Sequence, residues 1–573
     1  MASTTSLLTG LSGLTAHARR LEVIGNNIAN VNTTAFKSNR LIFAPTFSRT
    51  LNAGTAPTAN SGGTNPGQIG LGVTEAGTQR NFQNGSLSVT GAVNDLAIEG
   101  DGMFIVDRSG EQVFTRAGAF QLNSSRELVT ISGERVLGNA VDQNFNIVEG
   151  AIVPLTIPVG ALTLAEATQN VRFAGNLNAD GTVGSNGTEL TFDQMFLDVA
   201  DSVTPLTGAS LLTSVDDPAT PGTALFAVGQ SIQITGVQKG GKNLPTASLT
   251  IAAGTTVANL LSFFEDAMGI TQGVTNPSGQ TTGATIDGAG VIHIIGNTGT
   301  ANGLVMEPSD FEIRNAAGSL VGTPFTFTTV TPADGESVRT TFQAFDSLGT
   351  PLAVDLVMTL QSKSNNGTVW RYDVESGDDT DLDISIATGT VSFDSNGRLV
   401  GTGGVNIQID RNNTGAVDPL AIALQLKSSA EEVTALTDTG GLSSLAATFQ
   451  DGAPLGILAS YSFGSDGVIN GAFDNGLTRT IGKVMVGTFT NPEGLVDIGD
   501  NLFRTGPNSG TPVIAEAGMF GSGRIVGGAL ELSNVDLGTE FINMILTTTG
   551  YSASSRVIQT TDQLLQQLVA LGG

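Results

Sequence analysis

Two stretches, one at each end of the chain, carry apolar residues at helical spacing. Successive apolar positions are three, four or seven residues apart, which places them on one face of an α-helix. The first stripe follows the heptad pattern of a coiled coil, with Gly25 at a skipped position. The first stripe consists of Leu7, Leu11, Leu14, Ala18, Leu21 and Ile28, and the second of Ile542, Leu546, Ala553, Val557, Leu564, Leu568 and Leu571.

The opposite faces of both predicted helices are rich in Ser, Thr, Asn and Gln and carry few charges for stabilising i,i+4 pairs. The first helix also contains Gly10, Gly13 and Gly25, each costing about 1 kcal/mol relative to Ala. Such helices are marginal in isolation. We therefore expect both to be ordered by neighbouring elements, and Asn534 or Asp536 to cap the second one.

Between the helices the pattern predicts β-structure. Apolar residues alternate through 354–360 and resume at 369–374, on either side of the turn sequence "SNNG", which indicates a β-hairpin. Similar turns occur in "FDSNGRLV" and "FGSDGVI". Residues 186–335 are richer in Gly and Thr and contain one helical candidate, Thr256–Gly269, so we interpret them as an inserted domain.

Composition restricts the possible partners. The net charge of −27 argues against nucleic acid and against anionic membranes, because both attract basic surfaces. Absence of Cys excludes disulfides and thiolate metal sites. No apolar run approaches the ~18 residues needed to span a bilayer. The first 20 residues lack the basic start and apolar core of a cleavable signal peptide, which argues against the Sec route.

Residues capable of chemistry are sparse. The two histidines, His17 and His293, form no recognisable dyad or metal pair in the sequence, and no nucleophile elbow or phosphate-binding loop is present. The best metal candidate is the loop with Asp378, Asp379, Asp381 and Asp383, whose carboxylates could approach Ca²⁺. It lacks the Gly and Glu of an EF-hand, so a solvated acidic loop is the preferred interpretation. We therefore predict a protein that is not an enzyme and binds no cofactor or metal.

The ends of the chain resemble a known family. "GLSGLTAHARRLEVIGNNIANVNTTAFKSNR", "NGSLSVTGAVNDLAIEGDGMFIV" and "GALELSNVDLGTEFINMI" followed by "GYSASSRVIQTTDQLLQQLV" are similar, in this order, to segments of the bacterial flagellar rod, hook and hook-associated proteins. "FQAFDSLGTPLAVDLVMTL" and "PLGILASYSFGSDGVINGAFDNG" are similar to outer-domain segments of hook members. Two departures stand out: Ala35 occupies a position where many relatives carry Gly, and "TTTGY" replaces a "QRGY"-like stretch, which removes a cation.

The resemblance implies a mainly β, multi-domain fold with nested, discontinuous β domains and terminal helices paired in a coiled-coil-like inner domain. It implies self-polymerisation into the flagellar hook, a curved tube that transmits torque as a universal joint, located outside the cell after type III export. Implied partners are further copies of the chain, the hook cap, distal rod and hook–filament junction proteins and the export apparatus, without nucleic acid or membrane insertion. Another axial protein of the flagellum remains an alternative, as does a secreted β-rich adhesin.

The resemblance also suggests a role for "GNNIANVNTTAFKSNR" at 25–40. Its asparagines are poor helix formers, so they mark either an ordinary helix end or a segment whose amides bond other chains. We expect the second: both apolar stripes form the subunit interface, Asn26, Asn27 and Asn30 fix its register, Asn32 starts the exit from the helix, and Phe36 anchors the next domain. The expected divisions are 1–43 (helix), 44–70 (linker or irregular arm), 71–150 with 456–533 (inner β domain), 151–185 with 336–455 (outer β domain), 186–335 (inserted outermost domain) and 534–573 (helix).

Overall fold

The computed structural model describes residues 2–401, 403–428, 431–438 and 441–572. The chain divides into two compact units. The terminal unit contains Met1–Leu162 and Ile457–Gly573, and the central unit contains Thr163–Gly456. Many β-strands and two long terminal helices that contact each other confirm the predicted fold class.

The terminal unit contains helices α1 (Ala2–Ala29) and α3 (Leu537–Gly572). Asp536, one of the two predicted caps, accepts hydrogen bonds at the start of α3 from the backbone N–H groups of Gly538 (2.8 Å) and Thr539 (3.2 Å). These bonds favour the ionised carboxylate and hold the pKa of Asp536 below its usual range.

The β-structure of the terminal unit joins strands from both ends of the chain. Met103–Arg108 pairs with Glu111–Thr115 and also with Thr478–Thr488, which lies more than 370 residues later. Residues 44–70, expected to form a linker or irregular arm, include an exposed two-stranded ribbon. The strands of this unit are Asn39–Pro45, Ser48–Asn52, Gly67–Gly70, Val73–Arg80, Leu87–Val89, Leu96–Glu99, Met103–Arg108, Glu111–Thr115, Phe120–Leu122, Leu128–Thr130, Arg135–Asn139, Val153–Pro154, Val468–Phe473, Thr478–Thr488, Val496–Asp497, Leu502–Arg504, Val513–Glu516, Arg524–Gly527 and Ala529–Glu531, with Ala453–Phe463 crossing the boundary.

In the central unit, residues 337–394 form a four-stranded antiparallel sheet that packs against the core of this unit. Pro351–Ser364 and Gly367–Glu375 form the predicted hairpin, which is confirmed by pairing of Ser364 with Gly367. The strands of this unit outside the insert are Thr163–Glu166, Asn170–Asn176, Ser337–Phe345, Pro351–Ser364, Gly367–Glu375, Ser385–Asp394, Gly404–Ile409, Leu420–Gln425, Val433–Thr434 and Ser444–Gln450.

Residues 186–335, called the insert below, contain helix α2 (Val257–Met268) and build a separate apolar core. The predicted helix is confirmed, with Thr256 as its N-cap and Gly269 as a left-handed C-cap at φ 58°. Its strands are Gly187–Met195, Ser231–Ile234, Gln238–Lys239, Lys242–Asn243, Ala247–Thr250, Gly283–Ile286, Val291–Thr298, Leu304–Val305, Phe311–Arg314, Leu320–Gly322 and Phe327–Thr331.

Candidate assembly interface

Helices α1 and α3 pair antiparallel along small and polar residues. An Arg20 nitrogen (Nη2) lies 3.4 Å from Asn543 Oδ1, and Asn27 Nδ2 lies 2.9 Å from Glu540 Oε1. Towards the other end, Gly13 lies against Ser554. The residues of this seam are three, four or seven positions apart, as in a heptad. They are Gly10, Gly13, His17, Arg20 and Asn27 on α1 and Glu540, Asn543, Gly550, Ser554 and Ile558 on α3.

Three glycines allow this close approach. A Cβ on Gly13 would lie 2.9 Å from Ser554 Oγ, and one on Gly10 would lie 3.0 Å from a side-chain carbon of Ile558. A Cβ on Gly550 would lie 2.6 Å from the ring of His17. Distances below 3 Å force a shift of one helix or of the opposing side chain. Gly10 and Gly13, which weaken α1 in isolation, thus let it pack closely against α3, whereas Gly25 meets nothing within 4 Å.

The predicted apolar stripes lie next to this seam rather than in it. Each stripe is offset by one residue from the seam, a rotation of about 100° around the helix axis. On α3 the stripe is open: Ile542, Leu546 and Leu564 are each 61% exposed, and Ala553 and Val557 are exposed as well. The side chain of Leu568 lies outside the described residues.

On α1 the stripe is more covered. Leu11 is exposed, whereas the other members are partly buried. The partly buried members are Leu7, Leu14, Ala18, Leu21 and Ile28. The described part of the chain therefore leaves an apolar surface along the helix pair, widest on α3.

Asn27 is the best-connected residue of the asparagine segment, and its partners belong to its own chain. Its side chain is 1% exposed. Its amide oxygen accepts from the backbone N–H of Asn39 (3.0 Å), and its nitrogen donates to the Asn39 carbonyl (2.8 Å) and to Glu540 (2.9 Å). This differs from the expected bond to another chain: Asn27 joins α1, the first strand and α3 within one copy.

The remaining members of the segment have local roles. Asn26 is exposed and accepts from Asn30, whose own amide oxygen accepts from Thr33 at 3.0 Å. Asn32 is exposed in the turn after α1, and Phe36 is partly buried. Asn26 and Asn32 thus remain accessible, whereas Asn30 and Phe36 are only partly so.

A buried ion triad fixes the segment just after the asparagines. The Lys37 ammonium lies 2.7 Å from Glu531, and the Arg116 guanidinium lies 2.9 Å from the other oxygen of that carboxylate. The three side chains are at most 3% exposed. Burial lowers the pKa of Lys37, although contact with Glu531 opposes this effect. The triad connects the exit from α1, the β-structure and the approach to α3.

The two departures from the family pattern have different settings. Ala35 is buried with φ at 58°, a left-handed conformation that glycine adopts without steric cost. A side chain in this conformation costs about 1 kcal/mol relative to glycine. Thr547, in the stretch without the cation, is buried and donates to the carbonyl of Asn543 in its own helix at 2.6 Å.

Among the described residues, the two histidines form no catalytic arrangement with each other. His17 is packed between Phe43 and Gly550, and burial together with nearby Arg20 lowers its pKa. His293 lies beside Thr191 (3.1 Å) and Asp287 (3.5 Å) on a strand of the insert.

In the acidic loop, the structure brings Asp379 and Asp381 together with Asp410, which sequence spacing did not reveal. The other two carboxylates of the predicted set are elsewhere: Asp378 accepts from the backbone of Ala353 at 2.7 Å, and Asp383 faces Asp266. Among the described residues, no helix is both long and apolar enough to cross a membrane.

Comparison with known proteins places the two ends and the middle of the chain in one family. Models described as "Flagella basal body rod protein", "Flagellar hook protein FlgE/F/G D1 domain", "Flagellar basal body protein FlaE D2 domain" and "Flagellar basal body rod FlgEFG protein C-terminal" match residues 7–37, 97–184, 315–453 and 526–571. The chain belongs to the flagellar hook and rod protein family.

Relatives of full length support the hook type. The chain is 28% identical to the flagellar hook protein FlgE of Borreliella burgdorferi over 580 residues, covering 99% of both chains. It is 26% identical to the protein of the same name from Salmonella typhimurium, covering 98% of both. The crystal structure of the Helicobacter pylori flagellar hook protein FlgE2 aligns with 78% of this chain at 18% identity and a TM-score of 0.38. The family, the structural rather than enzymatic class and the location in the flagellar hook, all predicted from the sequence, are confirmed.

Proposed function

We propose that this chain polymerises into the hook through the apolar surface of the α1–α3 pair. The observation that carries this proposal is the exposed stripe on α3, with Ile542, Leu546 and Leu564 each 61% exposed. Covering the exposed part of one such side chain is worth about 1 to 2 kcal/mol. Repeated between identical copies, contacts of this size build an open helical assembly when the rotation between copies does not close.

The α1–α3 seam supplies the rigid element that presents this surface. Because Gly10, Gly13 and Gly550 bring the helices close together, each copy contributes a preformed pair rather than two separate helices. The net charge of −27 makes copies repel at long range, and salt screens this repulsion. Polymerisation is therefore expected to be favoured by moderate salt.

The proposed mechanical role depends on a contrast between the apolar surface of the helix pair and the polar surfaces of the β-domains. The helix pairs form a continuous inner tube, while the β-domains slide past one another as the hook bends and transmits torque as a universal joint. Polar Thr, Asn and Ser contacts suit such sliding, because large apolar patches would lock. We propose that the chain binds further copies of itself, the hook cap, distal rod and hook–filament junction proteins, and the type III export apparatus.

The test replaces the apolar stripe without touching the seam. Ile542→Ser with Leu546→Ser should abolish tubes in electron micrographs while leaving thermal unfolding of the monomer nearly unchanged. The control is Ile131→Ser: Ile131 is 76% exposed in the turn between strands Leu128–Thr130 and Arg135–Asn139 of the same unit, and this variant should polymerise normally. Normal tube yield from the double variant would refute the proposed interface.

A further inference from the structure

The sheet of residues 337–394 in the central unit has one apolar and one charged face. Leu356, Met358 and Trp370 belong to the apolar core. Because side chains alternate along a strand, the intervening positions project from the opposite face. That face carries Asp355, Thr359, Arg371, Asp373 and Glu375, all 7% exposed or less, and the more accessible Arg339.

Two lysines of the insert reach this charged face. Lys239 is 1% exposed; its ammonium contacts Glu375 and donates to the carbonyls of Met268 (3.1 Å) and Gly269 (2.7 Å) at the end of α2. The Lys242 ammonium lies 2.7 Å from Asp355. The C-terminal end of a helix carries partial negative charge, so one buried cation joins α2 to a carboxylate of the sheet.

Arg339 connects the carboxylates of the sheet with each other and with the insert. One guanidinium nitrogen lies 2.9 Å from Asp355 and 3.4 Å from Glu375, and another donates to the carbonyl of Ala301 at 2.9 Å. Farther along the face, Asn302 of the insert donates to Asp373 at 3.3 Å. Polar groups of the insert thus satisfy charges along several strands.

This arrangement restricts movement of the insert. Removing one partner of a buried ion pair leaves an uncompensated charge in a low-dielectric environment, which is strongly unfavourable. Tilting the insert away from the sheet would do this at Lys239 and Glu375 together. Salt screens such buried pairs much less than surface pairs.

We infer that the insert is clamped to the charged face of the 337–394 sheet and moves with it as one rigid body, with the docking angle set by the Lys239–Glu375–Arg339–Asp355–Lys242 network. Residues 186–335 are then a stiff extension of the central unit rather than a flexible appendage. This inference stands independently of the polymerisation surface, because the network lies entirely within the central unit.

The absence of Cys in the chain permits a direct test on the full-length monomer. Spin labels on Val203→Cys in the insert and Leu348→Cys beside the sheet, both exposed positions, report the distance between the two bodies. We expect one narrow distance distribution, retained at high salt. Glu375→Gln and, separately, the apolar replacement Lys239→Met should cause loss of the single narrow peak.

Two controls separate loosening from unfolding. Trp370, the one tryptophan of the chain, is fully buried in the sheet, so its fluorescence reports whether the sheet remains folded. Glu312→Gln removes a carboxylate that pairs with Arg314 within the insert and should leave the distribution narrow. A broad distribution before any substitution would overturn the inference. A narrow one in both network variants with native Trp370 fluorescence would do the same.

Discussion

Replacing Asn27 by Ala should loosen the junction between the helix pair and the first strand. The substitution removes three hydrogen bonds, two to the backbone of Asn39 and one to Glu540. A neutral bond contributes about 0.5 to 1.5 kcal/mol and one to a charged group about 1.5 to 3 kcal/mol. Allowing for a gain in helix propensity below about 0.7 kcal/mol, the free energy of unfolding of this junction should fall by about 2 to 5 kcal/mol.

Hydrogen exchange is the appropriate assay, because it resolves local opening near 27, 39 and 540 from unfolding of the whole unit. Asn26→Ala is the matched control: it has the same change in helix propensity, one residue away, at an exposed position. It should change stability by less than about 0.5 kcal/mol. Both variants should be scored for tube formation as well.

Equal protection in the Asn27→Ala and Asn26→Ala variants would refute the argument that Asn27 holds one copy together. Loss of tubes from Asn27→Ala with unchanged monomer protection would instead restore the original expectation that this amide acts between copies.

Three further outcomes concern the seam and the insert. Gly550→Ala should lower the melting temperature, because its methyl group would lie 2.6 Å from His17, whereas Gly25→Ala, which meets nothing within 4 Å, should raise it through the same gain in helix propensity. The pKa of His17 is below 6.5, so the unfolded chain is protonated first and stability should fall as pH drops below that value; His17→Gln should flatten this dependence in circular dichroism melts. Burial and the carboxylate of Asp383 raise the pKa of Asp266 to about 6, so the folded chain binds more protons than the unfolded chain and the stability of the central unit should fall as the pH rises from about 4 to about 6. After a reduction for solvent screening, this loss of stability is about 1 to 2 kcal/mol. Asp266→Asn should remove the loss from thermal melts recorded between about pH 4 and 6. An unchanged dependence of stability on pH in this variant would contradict the assignment to Asp266.

Local patterns predicted the elements well where short-range physics decides them. The helix at Val257–Met268 is bounded by a capping threonine and a left-handed glycine, and the hairpin around Asn366 has turn residues between alternating strands. These signals act within a few residues, so they can be recognised without knowledge of the fold. The same holds for the apolar stripes, whose period depends only on helix geometry.

The spacing of apolar residues along a helix did not predict which element packs against each of its faces. The sequence identified Leu and Ile positions as contact residues, but the partner helix within the chain packs on the neighbouring heptad of Gly10, Gly13 and Gly550. Small residues give no hydrophobic signal, although they permit the closest approach.

By itself, then, the sequence determined the class of protein, its terminal helices, its turns and the apolar stripes. Only the tertiary structure decided the partners of its polar groups. Asn27 bonds Glu540, and Lys37 bonds Glu531, each about 500 residues away along the chain. Lys239 likewise meets Glu375 across the insert. A buried amide or charge must find a partner, but sequence spacing does not say which one, because the partner is brought near by packing of distant elements.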